Sequence, residues 1–181
     1  MKNDVQKFYI KQIKTTKKII EKYSESQEFS PTMLINSLLS LVILPFEKAK
    51  KKDGKKIFPG SYKNLEKDIG ILPTVFTPIK FCKRENPTFE SKTIYSFIRK
   101  FRNGIAHQNL NVIVAENHTV RIKINNKFSC SGCKKCKSKA CKNKGLNIDG
   151  NSVVDFEINV TVKQLQKLAE YIANSYLKSI Q

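Results

Sequence analysis

Apolar residues recur with a helical period through the first two thirds of the chain and with a strand period for a stretch after it. Ile94, Phe97, Ile98, Phe101 and Ile105 stand at i, i+3, i+4, i+7 and i+11, one apolar stripe of an α-helix. They predict a helix over 90–107 whose stripe is a core face. Val5, Phe8, Tyr9, Ile13, Ile19 and Ile20, set against lysines, predict a basic amphipathic helix over 4–23. Ser30 and Pro31 supply an N-cap and a first-turn proline for a helix over 32–44. That run is dense in Leu, Ile and Val, so it is expected to be the most buried helix or the one through which a dimer forms, and Pro45 stops it. A short helix fits 62–69, after which Gly70, Pro73, Pro78 and Pro87 predict irregular turns. From 111 the period falls to two. Residues 111–116 and 119–125 predict a hairpin with Asn117 and His118 in its turn, and 153–161 a third strand. A last helix starts at Thr161 or Val162, with Leu165, Leu168, Ala169, Ile172, Ala173 and Tyr176 on its apolar side. The expected fold class is mainly α, a helical bundle with a small antiparallel β-hairpin or sheet insertion before the last helix. The 181 residues suit one core and one domain over 1–181.

Charge adds a partner to that outline. The formal charge is +19, a long-range field that draws in RNA or DNA without regard to sequence. A genome rich in A and T gives the same bias toward lysine, asparagine and isoleucine, so clustering carries the argument rather than the total. Lys48, Lys50, Lys51, Lys52, Lys55 and Lys56 surround Asp53 and Gly54 in what reads as a flexible basic loop that holds a nucleic-acid backbone. No apolar signal core follows Met1 and 32–44 is too short to span a bilayer, so a cytoplasmic protein without a membrane partner is expected. The chain carries no Gly-rich phosphate loop, carboxylate metal cluster or serine triad, which argues against nucleotide hydrolysis and metal-dependent nuclease chemistry.

The candidate chemistry lies at the end of the 90–107 helix. Of 34 basic residues only Arg84, Arg99, Arg102 and Arg121 are arginine, and two of these four stand on that helix. A guanidinium grips a phosphate through a bidentate fork that lysine does not reproduce. Asn103 and His107 are four apart and share a face, with Arg102 long enough to reach the same spot. His107 is one of two histidines and the side chain suited to moving protons near neutral pH. A plainer reading stays open, in which Gly104 is a left-handed helix cap and the arginine answers the helix dipole.

Arg102-Asn103-Gly104-Ile105-Ala106-His107 resembles the R-x4-6-H motif of the HEPN superfamily of helical RNA-cleaving domains. The surrounding helices, strand pair and final helix are similar to a plasmid- and phage-defence-associated HEPN subgroup. The resemblance implies a HEPN-like helical bundle and metal-independent endoribonuclease activity. In that chemistry the 2′-hydroxyl attacks the adjacent phosphate and leaves a 2′,3′-cyclic phosphate. It implies a homodimer through the motif helices, with both motifs facing one cleft, and an antitoxin or defence protein as a further partner. His107 would handle protons, Arg102 would stabilise the phosphorane, and Asn103 would position the phosphate or the histidine. Toxins of this kind that are paired with a nucleotidyltransferase antitoxin carry a tyrosine two residues after the histidine. Here that residue is Asn109, so silencing at such a tyrosine is not implied.

Cys130-x2-Cys133-x2-Cys136-x4-Cys141 is the second signal, within an insertion over 127–145. In a chain without a secretion signal, clustered thiols point to a metal, and four thiolates suit a closed structural zinc site. The single run also approaches iron–sulfur spacing, and disulfides or free thiols stay open. Lys134, Lys135 and Lys137 stand within the run, and with Arg99 they are the expected RNA-binding cations. Cys82, among apolar neighbours, reads as a small buried hydrophobe. The competing function is a non-catalytic basic RNA- or DNA-binding module carrying a structural zinc finger.

Overall fold

A computed structural model of the protein describes residues 2–25, 36–37, 40–43, 46–47, 53–82, 86–114, 120–129, 139–150 and 152–180. In chain order the elements are α1 (Lys2–Glu25), α2 (Gly54–Ile57), α3 (Lys63–Ile69), β1 (Pro73–Phe76), β2 (Ile79–Cys82), β3 (Pro87–Phe89), α4 (Ile94–Ala106), β4 (Leu110–Val114), β5 (Val120–Ser129), α5 (Lys139–Lys142), β6 (Asn147–Asp149), β7 (Ser152–Thr161) and α6 (Val162–Lys178). Two compact units result: Met1–Pro59 with Val162–Gln181, and Gly60–Thr161.

The first unit is helical among its described residues. α1 and α6 pack on one another, and Lys17 donates to Asn174 Oδ1 at 3.1 Å. Ile13 and Ile20 are buried as the α1 stripe requires, but Phe8 and Ile19 of the same stripe are exposed. Residues 36–37 and 40–43 are helical, with Leu41 and Val42 fully buried, inside the range expected for the buried helix. Lys55 and Lys56 belong to α2 rather than to a flexible loop, and Lys56 pairs with Asp53 at 2.7 Å. Every apolar residue assigned to the last helix is buried on α6.

The second unit overturns the mainly α expectation. A five-stranded antiparallel sheet runs β1-β7-β5-β4, with β6 also paired to β7, and β2 pairs with β3 in a separate ribbon. The fold is a mixed α/β one in which the strands form a principal layer, not a hairpin inserted in a bundle. The stretch expected to be irregular turns holds β1, β2 and β3. Its prolines do not forbid them, because Pro73 and Pro87 are first residues of strands and Pro78 precedes one, places where a missing N–H costs no ladder bond. The predicted hairpin is β4 and β5, but β5 extends to Ser129 and the turn residues, His118 included, lie outside the described residues.

α4 starts later than the expected Glu90. Thr93 is its N-cap, accepting from the Ser96 N–H at 3.1 Å while Ser96 Oγ accepts from the Thr93 N–H at 2.9 Å, a reciprocal capping box. The stripe Ile94, Phe97, Ile98, Phe101 and Ile105 is buried throughout and packs on the sheet. Phe97 meets Phe156 of β7 edge-on at 5.2 Å and Phe76 of β1 at 5.9 Å, a geometry that aromatic quadrupoles favour.

Beneath this stripe lies a polar knot. Asn126 of β5 faces Phe156 of β7 whereas Lys127 faces Val154, which leaves Asp155 as the extra residue of a β-bulge. A bulge re-aims its side chain, and here the fully buried Asp155 carboxylate pairs with Lys100 of α4, itself 2% exposed. Asp155 Oδ2 also accepts from the Ile79 N–H at 2.8 Å and Oδ1 from Asn126 Nδ2 at 2.7 Å. The Lys100 ammonium donates in addition to the Ile79 carbonyl at 3.1 Å and lies 5.8 Å from the Phe128 ring centroid. Both charges are thus hydrogen-bonded as well as paired, the condition under which a buried pair is tolerated. Lys100→Met keeps the stem and strands the carboxylate, so urea unfolding should show a loss of about 3–5 kcal/mol. Adding Asp155→Asn to Lys100→Met should cost less than the sum of the two single changes. A loss below about 1 kcal/mol for Lys100→Met would mean the pair is not what holds α4.

Candidate active site

Apart from the buried Ser96 and Lys100, the polar residues of α4 stand off its apolar stripe. Arg99, Arg102 and Asn103 are half-buried, and Ala106 and His107 are exposed. Arg102 Nη1 donates to Asn103 Oδ1 at 2.8 Å, so two of the three expected site residues are in direct contact. His107 is the C-cap, its N–H donating to the Asn103 carbonyl at 3.0 Å, one turn beyond that contact. The backbone therefore sets where the imidazole is attached, and the ring itself faces solvent.

The end of the helix departs from the glycine-cap alternative. Gly104 is helical and buried, and its role is close approach rather than left-handed geometry. A Cβ added there would meet the Asn125 carbonyl oxygen of β5 at 2.5 Å and Ile124 Cγ2 at 2.8 Å. The left-handed position falls on Gln108, with φ 56°. Its N–H donates to the Ile105 carbonyl at 2.9 Å and the Asn109 N–H to the Gly104 carbonyl at 2.9 Å, the bond pair of a left-handed helix stop. The Asn109 carbonyl then accepts from the Asn125 N–H at 3.0 Å, which ties the stop to β5 directly below Gly104.

The other expected residues are placed less evenly. Arg99 pairs with Glu90 at 2.8 Å. Lys134, Lys135 and Lys137 lie outside the described residues, as do Cys130, Cys133 and Cys136. Cys141 is buried on α5 in a small cluster with Ile79, Leu146 and Val153, against which Cys82 of β2 also packs. Cys82 is thus in the apolar setting expected of it but only half-buried, packed against the cluster that holds a member of the cysteine run. Among the described residues no three metal-ligating side chains gather. Nor, among them, is any helix long and apolar enough to cross a membrane.

Lys100 was not singled out by the apolar pattern, which gives it no clear signal. At roughly 100° per residue it falls about 60° beyond Phe97, on the border between the apolar arc and the polar face, where a lysine can turn to either side. Asp155 carries a clearer mark, standing between Val154 and Phe156 in a strand that is otherwise apolar there.

A guanidinium is thus joined to an amide, with an imidazole one turn on at the end of a pinned helix. The family model described as HEPN pEK499 p136 matches residues 1–181, and the chain belongs to that HEPN family. HEPN domains are generally ribonucleases, and the family carries a toxin and defence theme. No curated protein and no solved structure matches the chain.

Gly104→Ala is the sharpest probe of this geometry. Alanine gains about 1 kcal/mol of helix propensity, yet its Cβ meets backbone that cannot step aside. We expect a net destabilisation of about 1–3 kcal/mol, the range for overpacking, read from thermal or urea unfolding. Stabilisation would show that α4 does not press on β5 at this point.

Proposed function

We propose that the chain is a metal-independent endoribonuclease of toxin or phage-defence type, working through Arg102, Asn103 and His107. The observation that carries the reading is the Arg102–Asn103 contact one turn from an exposed, backbone-anchored histidine, in a chain of net charge +19 that belongs to a HEPN family. In the reaction the 2′-hydroxyl loses its proton, its oxygen bonds to phosphorus, and the bond from phosphorus to the 5′-oxygen breaks. That oxygen leaves with a proton, and the ends are a 2′,3′-cyclic phosphate and a 5′-hydroxyl. His107 moves protons at the reacting oxygens. The Arg102 guanidinium stabilises the charge that gathers on phosphorus in the transition state, and Asn103, bonded to that guanidinium, positions it and the phosphate. Arg99, Lys134, Lys135 and Lys137 hold the RNA backbone in this reading.

Purified wild type and His107→Ala, incubated with total RNA in EDTA, test it. Wild type should yield cyclic-phosphate ends, and His107→Ala should cleave at least about 100-fold more slowly, the scale of a lost general acid or base. RNA binding by the variant should stay close to that of wild type. Equal cleavage by pure His107→Ala would overturn the assignment.

The cysteine run enters the same reading as a structural staple, with Cys130, Cys133, Cys136 and Cys141 holding one zinc as thiolates. Its support is their spacing and the four-thiolate closure such a site needs. Metal analysis should find about one zinc per chain, the content of one four-thiolate site, and Cys133→Ser should lose it. Iron in its place, or oxidised thiols without metal, would overturn the zinc assignment and leave the nuclease reading intact.

A further inference from the structure

A stripe of cations runs along α1. Lys7, Lys11, Lys14, Lys18 and Lys22 follow one another at spacings of four, three, four and four residues, so they share one side of the helix, and all five are exposed. Between Lys7 and Lys22 the one acid is Glu21, which pairs with Lys17 at 3.7 Å. The stripe stands about 150° round the helix from the buried Ile13 and Ile20, away from the packed face. Helix rise sets its lysines about 4.5–6 Å apart along the axis and the whole stripe over about 22 Å. Successive phosphates of one nucleic-acid strand are separated on the same scale, so a strand laid along α1 brings its charges to the lysines one after another.

Beside the stripe lies a second feature. Phe8 is 57% exposed, although it belongs to the apolar set of α1, and Tyr9 braces it with ring centroids 5.9 Å apart and planes at 73°. It lines a hollow of about 360 Å³ whose other walls, among the described residues, are Lys11, Gln12, Thr15 and Thr16. A nucleobase fits that space. The walls suit one as well, with an aromatic ring to stack on, a side-chain amide that both donates and accepts at a base edge, and hydroxyls that do either. Lys11 belongs to stripe and hollow alike. A second hollow of about 420 Å³ continues along the stripe past Lys7, Ile10, Lys11, Lys14, Thr15 and Lys18, so the places for backbone and base adjoin.

We infer that α1 is a docking site for single-stranded RNA, with the phosphates on the lysine stripe and an unpaired base stacked on Phe8. The inference deepens the ribonuclease reading and rests on it for the choice of RNA over DNA. Other polyanions fit less of this surface. A duplex satisfies the lysines but keeps its bases stacked on one another, which leaves nothing for Phe8 to hold. An anionic membrane needs a continuous apolar flank, whereas Gln12 and Thr15 interrupt the flank that carries Phe8 and Ile19. The docking site belongs to the first compact unit, and Arg102, Asn103 and His107 belong to the second, so capture of the strand and its cleavage use separate groups. Stacking and phosphate contacts read no sequence, and α1 therefore holds any unpaired strand while other contacts select the point of cleavage.

Fluorescence anisotropy of the full chain with a labelled 2′-O-methyl oligouridine tests this. The strand lacks the attacking 2′-hydroxyl, so binding is read without cleavage. Lys11→Gln, Lys14→Gln and Lys18→Gln together should weaken binding at least about tenfold and lower the slope of log affinity against log salt by about 2, the share of three phosphate contacts on a single strand. Lys163→Gln, Lys167→Gln and Lys178→Gln together remove the same charge from exposed positions of α6, and should cost less than about threefold. Phe8→Ala should weaken the single strand at least about fivefold and leave binding of a duplex of the same length unchanged. Glutamine keeps the helix propensity of lysine, and thermal melts check that every variant is folded. Equal losses from the two lysine triples would overturn the proposal, as would a Phe8→Ala change that spares the single strand. So would α1 substitutions that abolish binding to phosphatidylserine vesicles and leave RNA binding as it is. Because nothing is cleaved in this experiment, its failure leaves the nuclease reading standing, and a wild type inactive on total RNA leaves the strand-binding result standing.

Discussion

Everything that places α4 depends on the buried pair of Lys100 and Asp155. Phe97, Phe101 and Phe156 supply adhesion, but apolar contact is non-directional and leaves a helix free to slide or turn on a sheet. An ammonium and a carboxylate without water admit few arrangements, because either one displaced is an uncompensated charge in an apolar setting. The pair also ties three further pieces to the helix. Ile79 offers both its N–H and its carbonyl, Asn126 its amide, and the Thr77 N–H donates to the Asp155 carbonyl at 2.9 Å. The bulge that frees Asp155 from its ladder partner is therefore part of how α4 is docked.

From Lys100 the constraint passes along the helix to the site. One turn on, Gly104 lets the helix axis approach β5 to a distance that any side chain would forbid, and the helix stop is bonded to Asn125, the residue Gly104 touches. Lys100, Gly104 and Asn109 are thus three consecutive fixings of one element to one sheet. Arg102, Asn103 and His107 lie between and just beyond them off the apolar stripe, the first two half-buried and His107 exposed, and they move with the helix. Rigid support beneath and solvent access above is the division that a site needs if its groups are to be positioned without being buried.

What the sequence made legible follows from how local each cue is. The α4 stripe, the α6 stripe and the strands β4, β5 and β7 are patterns of neighbours, and each appears where its period predicts. The mainly α expectation failed because three strands around Pro73, Pro78 and Pro87 are too short to show alternation, and proline is harmless at the positions it takes there. Phe8 and Ile19 fail a simple stripe rule, since α1 buries Ile13 and Ile20 and leaves both of them exposed. Arg102 and Asn103 could be brought together from spacing alone. The Lys100–Asp155 pair could not, because its members are 55 residues apart and meet only through a bulge that no local pattern announces.

Gln108 shows how these constraints are balanced. A non-glycine residue in the left-handed region costs on the order of 1–2 kcal/mol, and glycine would remove most of that cost. The strained backbone persists because its surroundings over-determine it. The helix must stop after Gly104 has reached β5, and Asn109 must turn its carbonyl to Asn125 for β4 to begin at Leu110 in register. Only residues 107–109 separate helix from strand, so the chain has no slack in which to place His107 elsewhere. The same short junction that presents the histidine also launches the uncharged edge strand. The position of the site and the alignment of that edge are consequently set by one turn of backbone, and a change that loosens the turn displaces both.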